Sequence, residues 1–432
     1  MRFSTEDWDW LGEFLKRRGL PGIAVALMDA RGDVGFIAKG WADLGRRPID
    51  EETLFELGSI GKTFTAVVTL ELAEEGRVDL EAPVTRYLPW FEVRSPFDSI
   101  TLAHLLTHTA GLIRGADMTA DSRFDVWALR DTEVGFPPGE RHYYSNVGYR
   151  VLGCVLEEVT GVRYTDLIRS RILERLGLEN TEPAITADMR LRMAVGYDRL
   201  HDDRTPDPAD PLVPAAWLET DTADGSLAST AGDLSAFGRA LLAGPARQLT
   251  SGRLADSGDG WSYGYGLEVK GSLIRHGGSM PGFASTLLGD LDSGVAVATL
   301  MNGPDERDVT EEVAQYALAL ELGDSPEPPG DPKPYPSDLT LAEPSEEWGA
   351  FYGRYRSYNP WLPGFRFVQW AEGPGVVLSW GNEKPLTPLG EAEFRVGAEE
   401  WSPERLRFDA VVDGLALRAN LSGETYYRSN FP

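Results

Sequence analysis

Apolar positions change their spacing several times along the chain. Ser4 or Thr5 can cap a first helix that runs to about Arg18 and stops at Gly19. Ile23 to Met28 is then a short apolar run, Arg31-Gly32-Asp33 makes a turn, and Val34 to Trp41 returns. That pattern predicts a hairpin packed against the first helix. Ser59 to Glu75 reads as a second helix, with Phe64, Val67, Val68, Leu70 and Leu72 as its apolar content and Gly76 as its stop. A mostly helical stretch over 101–242 follows, broken by Pro-, Gly- and Asp-rich loops near 114–140 and 201–225. Strand patterns resume at Tyr265 to Val269, Ser285 to Leu288 and Val295 to Met301, and a last helix covers about Asp308 to Leu322. Strands at both ends with helices between them predict an α+β fold: one antiparallel sheet flanked by helices, with an inserted all-helical region.

The segment 324–338, DSPEPPGDPKPYPSD, carries too much proline for helix or sheet and reads as a linker. Beyond it the runs are short and alternate in part: Phe365 to Trp370, Val376 to Trp380, Phe394 to Val396, Leu406 to Val412, Leu415 to Leu421 and Thr425 to Arg428. Gly, Pro or Asp separates most of them, the pattern of a small antiparallel β-barrel. The expected division is 1–323, linker 324–338, and barrel 339–432.

Composition narrows the class. The 432 residues include 42% hydrophobic and 25% charged positions, a folded globular profile. The net charge of −27 repels phosphate backbones and anionic lipid, so neither nucleic acid nor a membrane surface is an expected partner. The single cysteine, Cys154, sits in an apolar run and reads as a buried inert thiol. The first residues, MRFSTEDWDW, are acidic and aromatic where a secretory leader needs a basic start and an apolar run. We therefore expect a soluble cytoplasmic protein.

Three short motifs carry candidate chemistry. In Ser59-Ile60-Gly61-Lys62 the serine and lysine are three apart, on one face of a helix. The amine can take the hydroxyl proton that a serine nucleophile must lose. Placing Ser59 in the first helical turn also leaves its N–H among the free donors. Gly61-Lys62-Thr63 resembles the end of a phosphate-binding loop, but position 56 is Glu where that motif needs Gly. The nucleophile-elbow pattern fails as well, because Leu57 takes its first glycine position. The second motif is Tyr144-Ser145-Asn146: a phenol near a lysine can act as base and then acid, and an amide can hold a substrate carbonyl. Alone it reads as an Asn cap before a helix over 147–159. The third, His276-Gly277-Gly278-Ser279, follows a candidate strand at Leu273 to Arg275. Its glycines would let a substrate lie close to a strand edge, although alone it reads as a Gly turn with a surface histidine. His104 and His108 are spaced like two zinc ligands, but no Glu follows His104 and no third ligand is evident. No metal and no cofactor are expected. His142 and His201 carry no signal, and Ser229-Thr230 reads as a helix cap.

Taken in order and spacing, the three motifs resemble the serine β-lactamase and penicillin-binding-protein superfamily, in particular its class C, esterase and D-amino-acid peptidase branch. Leu57 to Thr65, Asp79 to Val84, Tyr87-Leu88-Pro89, His104 to Leu112 and His276 to Phe283 are similar to that branch's recurrent segments. The tail resembles the lipocalin-like β-domain of some members, entered at Phe351-Tyr352-Gly353-Arg354-Tyr355. The resemblance implies that Ser59 is acylated, Lys62 and Tyr144 share the proton transfers, and Asn146 contacts substrate. It also implies that the N–H groups of Ser59 and Ser279 form the oxyanion hole, with Gly277 and Gly278 beside it. His276 stands where β-lactamases carry lysine, which shifts the expected substrate from β-lactams towards small esters or D-amino-acid amides and peptides. A β-lactamase or carboxypeptidase activity, and an inactive binding homologue, are the alternatives. Self-association stays open. The barrel is expected to bear on substrate preference or assembly more than on acylation.

Overall fold

The computed structural model describes residues 5–115, 121–201, 206–304, 307–330 and 341–429. Among these, nine strands form one antiparallel sheet. In spatial order they are Arg47–Pro48, Val34–Asp43, Gly22–Met28, Val295–Met301, Phe283–Asp290, Leu273–Met280, Glu268–Lys270, Trp261–Tyr263 and Ala255–Gly258. The chain thus closes its N-terminal hairpin onto strands from residue 255 onward, as the runs at both ends predicted.

The three central strands are buried at every position or nearly so. Alternation fails there because helices cover both faces. Leu11–Arg18 and Arg307–Leu322 lie on one side around Trp8, Phe14, Val297 and Val313. Gly61–Glu74, Asn146–Thr160 and Ala231–Ala243 lie on the other, around Phe64, Leu152, Phe237 and Leu287. Burial on two sides makes a strand read as a continuous apolar run, even when its neighbours are antiparallel.

Several boundaries differ from expectation, among them the strand expected over Tyr265 to Val269, which covers Glu268–Lys270. The first helix begins at Leu11 rather than near Thr5, because Thr5–Trp8 forms a separate 3-10 turn; Gly19 still ends it, with φ 64°. The helix after the second motif starts at Asn146, and its cap is Ser145, whose hydroxyl accepts from Gly148 N at 3.1 Å. The strand expected to stop at Arg275 continues to Met280, so His276 to Ser279 lie inside it.

Residues 353–429 form a closed barrel of eight antiparallel strands, sealed where Gly353–Arg356 pairs with Glu424–Ser429. The sequence pattern had missed Gly353–Arg356 and Glu383–Pro388, one opening on glycine and the other carrying two prolines. Closure leaves no open edge. The interior is filled by Tyr355, Phe365, Phe367, Phe394, Phe408 and Tyr426. The expected linker lies, from residue 331 on, outside the described residues, as do parts of the loops near 114–140 and 201–225.

Candidate active site

Ser59 sits in a 3-10 turn, Gly58–Ile60, that runs straight into the helix Gly61–Glu74. Lys62, one turn on, is fully buried and donates from Nζ to Ser59 Oγ at 3.0 Å. Its second acceptor is the backbone oxygen of Asp224, at 2.6 Å. Thr65, a further three residues along, donates to the neighbouring oxygen of Ala223 at 2.6 Å. Two successive carbonyls of the 222–226 loop are therefore held by one helix face. A backbone carbonyl has no sequence signature, and this partner of Lys62 was missed.

The loop has a charged foundation. Arg150 donates from Nε to Asp224 Oδ1 at 3.1 Å and from its other end to Asp125, with all three side chains buried. Burial pushes the Asp224 carboxyl up, but Arg150 beside it and Lys62 behind it outweigh that and hold it below the usual range.

The third motif meets the nucleophile through missing side chains. Gly58 has φ 53°, and a Cβ built there would lie 2.6 Å from both N and O of Ser279. A Cβ on Gly278 would stand 1.9 Å from Leu57 O. Only glycine lets the strand Leu273–Met280 press this close to the turn that carries Ser59. The backbone of Ser279 is thereby brought against the residue preceding Ser59. Ser285, across the strand pair from Gly278, ties the contact by donating to Leu57 O at 2.7 Å.

His276 is buried, not on the surface. Its Nδ1 lies 2.7 Å from Gly277 O, which can only accept, so Nδ1 carries the hydrogen. Nε2 is hydrogen-bonded to the Tyr263 hydroxyl at 2.8 Å. Gly277 is paired with Thr286 within the sheet.

Tyr144 stands over Lys62, whose Nζ is 5.0 Å from the ring centroid. His108 lies 4.1 Å from the same ring, centroid to centroid. It is no zinc ligand on a helix: the helix ends at Leu106, and His108 has φ 55°. Its Nδ1 accepts from Ser145 N at 3.1 Å. Burial above all, with His142, Lys62, His276 and Arg114 nearby, keeps this imidazole neutral. His142 packs on His108 and Tyr263. Burial likewise pushes the phenols of Tyr149 and Tyr263 well above their ordinary range. Both stay protonated at neutral pH. Asn146 donates from Nδ2 to Gly115 O at 3.3 Å, while its buried Oδ1 has no partner among the described residues. Cys154 is buried and its thiol pushed up to about 12, an inert position. Among the described residues no group of three or more His, Cys, Asp or Glu could hold a metal ion, and no helix is long and apolar enough to cross a membrane.

A family model described as Beta-lactamase matches residues 9–321. The chain belongs to the β-lactamase family. This is a superfamily of serine hydrolases, which here carries a closed eight-stranded C-terminal barrel. Penicillin-binding protein 4* of Bacillus subtilis (strain 168) is 28% identical over 336 residues, covering 70% of this chain and 73% of that protein. A D-amino acid amidase from Ochrobactrum anthropi superposes with TM-score 0.63 at 25% identity, over 74% of this chain and 99% of its own. An octameric penicillin-binding protein homologue from Pyrococcus abyssi shares the fold across 98% of this chain and 99% of its own, with TM-score 0.65 and 24% identity.

Proposed function

We propose that this β-lactamase-family enzyme hydrolyses small carboxylic esters or D-amino-acid amides and peptides through an acyl-enzyme on Ser59. The observation that carries the reading is the 3.0 Å bond between the buried Lys62 Nζ and Ser59 Oγ. As Oγ attacks the substrate carbonyl carbon, its proton passes to Lys62 or Tyr144, the two groups beside it. The carbonyl electrons move to the oxygen, which the N–H groups of Ser59 and Ser279 stabilise by preorganised donation. Collapse expels the alcohol or amine, protonated through Lys62 or Tyr144. Water then attacks the ester formed on Ser59 and releases the acid. Asn146 and the Gly277-Gly278 edge orient the substrate.

The second reading is β-lactam hydrolysis. Against it stands His276, in the place of a lysine: its ring nitrogens face Tyr263 and Gly277 rather than the position of a substrate carboxylate. The D-amino acid amidase among the structural neighbours favours amides. The test is intact-mass labelling with a fluorophosphonate, followed by p-nitrophenyl esters, D-alanyl p-nitroanilide and nitrocefin. One adduct in the wild type and none in Ser59→Ala is expected. Equal labelling of the two would refute the acyl-enzyme, and nitrocefin turnover without ester or amide turnover would reverse the substrate order.

A further inference from the structure

We propose that Glu404, a residue of the C-terminal barrel, is a positioning residue for acylation: it anchors Arg114 and Tyr143, and through them the Tyr144-to-Asn146 segment. The inference rests on the reading of Ser59, Lys62 and Tyr144 given above.

The barrel meets the hydrolase fold through the loop between the strands Glu393–Val396 and Arg405–Val412. Trp401 in that loop packs edge-on against Phe136 and Tyr143, with ring centroids 5.4 and 5.6 Å apart. Gly135 approaches so closely that a Cβ there would lie 2.1 Å from Trp401 O. Arg405 pairs with Glu133 at 3.3 Å. These contacts bring Glu404 to the base of the cleft. Its Oε1 accepts from the Arg114 backbone N–H at 2.7 Å and from the Tyr143 hydroxyl at 3.0 Å. Its Oε2 accepts from Ser422 of the barrel, which fixes the carboxylate from behind.

Both anchored residues lead directly to the site. The other side of Arg114 is its carbonyl, which accepts from Asn146 N at 2.7 Å. The next carbonyl, Gly115 O, takes the Asn146 side chain. Tyr143 is the residue before Tyr144, and its own N–H donates to His108 O at 2.7 Å. Tyr144 and Asn146 are thus each tied, one bond removed, to the same carboxylate. Burial first and the Glu404 charge second push the Tyr143 phenol well above its ordinary range, so it remains a donor. A carboxylate accepting two donors is a strong and directional anchor. The residues it anchors, Arg114 and Tyr143, lie 290 and 261 residues away along the chain, bonds the sequence pattern could not suggest. The barrel then acts on the acylation step itself, not only on substrate choice or assembly.

The test uses the full-length chain and the rate constant for acylation by a p-nitrophenyl ester at saturation. In Glu404→Ala the rate constant should fall about tenfold, as small misplacements of reacting groups do. The half-saturating concentration should move less than the rate constant, because Glu404 itself touches no substrate. Glu404→Gln keeps an acceptor oxygen and should recover to within about threefold of wild type. Arg405→Ala breaks another bond of the same interface without touching Arg114 or Tyr143, and should acylate like wild type. Wild-type acylation in Glu404→Ala would overturn the proposal. So would Glu404→Gln or Arg405→Ala falling as far as Glu404→Ala. If Glu404→Ala does not fold, Tyr143→Phe removes one of the two donors alone; a fall of about threefold supports the anchor and no change overturns it. Labelling of Ser59→Ala would instead remove the reading beneath. A silent Ser59→Ala with a normal Glu404→Ala removes only the anchor.

Discussion

Replacing Arg150 with methionine should expose how the buried charges beneath Lys62 are balanced. Arg150 is 1% exposed and lies between Asp125 and Asp224, themselves buried. Methionine keeps much of the volume and removes the only charge it carries. Breaking a buried ion pair from one side costs about 3–5 kcal/mol, because the partner is left uncompensated. Asp224→Asn is the control: Arg150 keeps Asp125, and the lost charge-assisted bond costs about 1.5–3 kcal/mol. The sign of the pH dependence follows from the titration of Asp224. In the wild type its folded pKa is depressed, so its stabilisation is present above the unfolded value and lost only as pH falls through the folded value. Without Arg150, burial is opposed only by Lys62 and by the hydrogen bonds to Asp224, and the folded pKa rises. The variant's deficit then grows from the depressed wild-type folded pKa upward, by about 1.4 kcal/mol per pH unit until the new folded pKa is passed. Urea unfolding at pH 5 and pH 8 reads this directly. We expect Arg150→Met to lose more than Asp224→Asn, and more at pH 8 than at pH 5. Acylation should slow as well, since Lys62 Nζ is held by the carbonyl of Asp224. A deficit under about 1 kcal/mol, or one equal at the two pH values, would refute the reasoning.

Two further outcomes follow from the site and the core. Gly278→Ala puts a methyl where Leu57 O now lies at 1.9 Å, so it should separate the strand from the Ser59 turn. Loss of one oxyanion donor costs about 10²–10³-fold in turnover, and an active, folded Gly278→Ala would contradict the placement of Ser279. Glu56 is fully buried beside that turn, and burial raises its carboxyl to about 8. A raised folded pKa means that stability is lost as pH climbs from the unfolded value towards 8, so Glu56→Gln should flatten the melting curve over pH 5–8. Parallel wild-type and variant melting temperatures across that range would count against it.

Much of the scaffold was legible in the chain. The apolar runs at Ile23 to Met28 and Val295 to Met301 were visible as strands because burial on both faces leaves no polar interruption. Gly19 and Gly76 were visible as helix stops, and both have positive φ. The spacing of Ser59 and Lys62 was enough to place them together, since a helical turn is a local object whose geometry follows from residue separation alone. The family likewise followed from three local motifs and their order.

What the tertiary structure decided was every contact made by backbone atoms or across long stretches of chain. Asp224 supplies a carbonyl to Lys62, Tyr263 takes up His276, and Gly58 and Gly278 act through the space they leave empty. A carbonyl belongs to every residue and an absent side chain has no pattern, so none of these could be read from residue types. Taken alone, the third motif reads as a surface histidine at a turn, because the two glycines after His276 suggest a strand end. The sheet carries the strand on through them, and Ser285 and Leu57 pack into the room that Gly278 leaves. Most distant of all is Glu404, an ordinary acidic residue in an acidic chain. Its meaning comes from where the barrel docks, which is set by the fit of Trp401 against Phe136 and Tyr143 and by no local propensity.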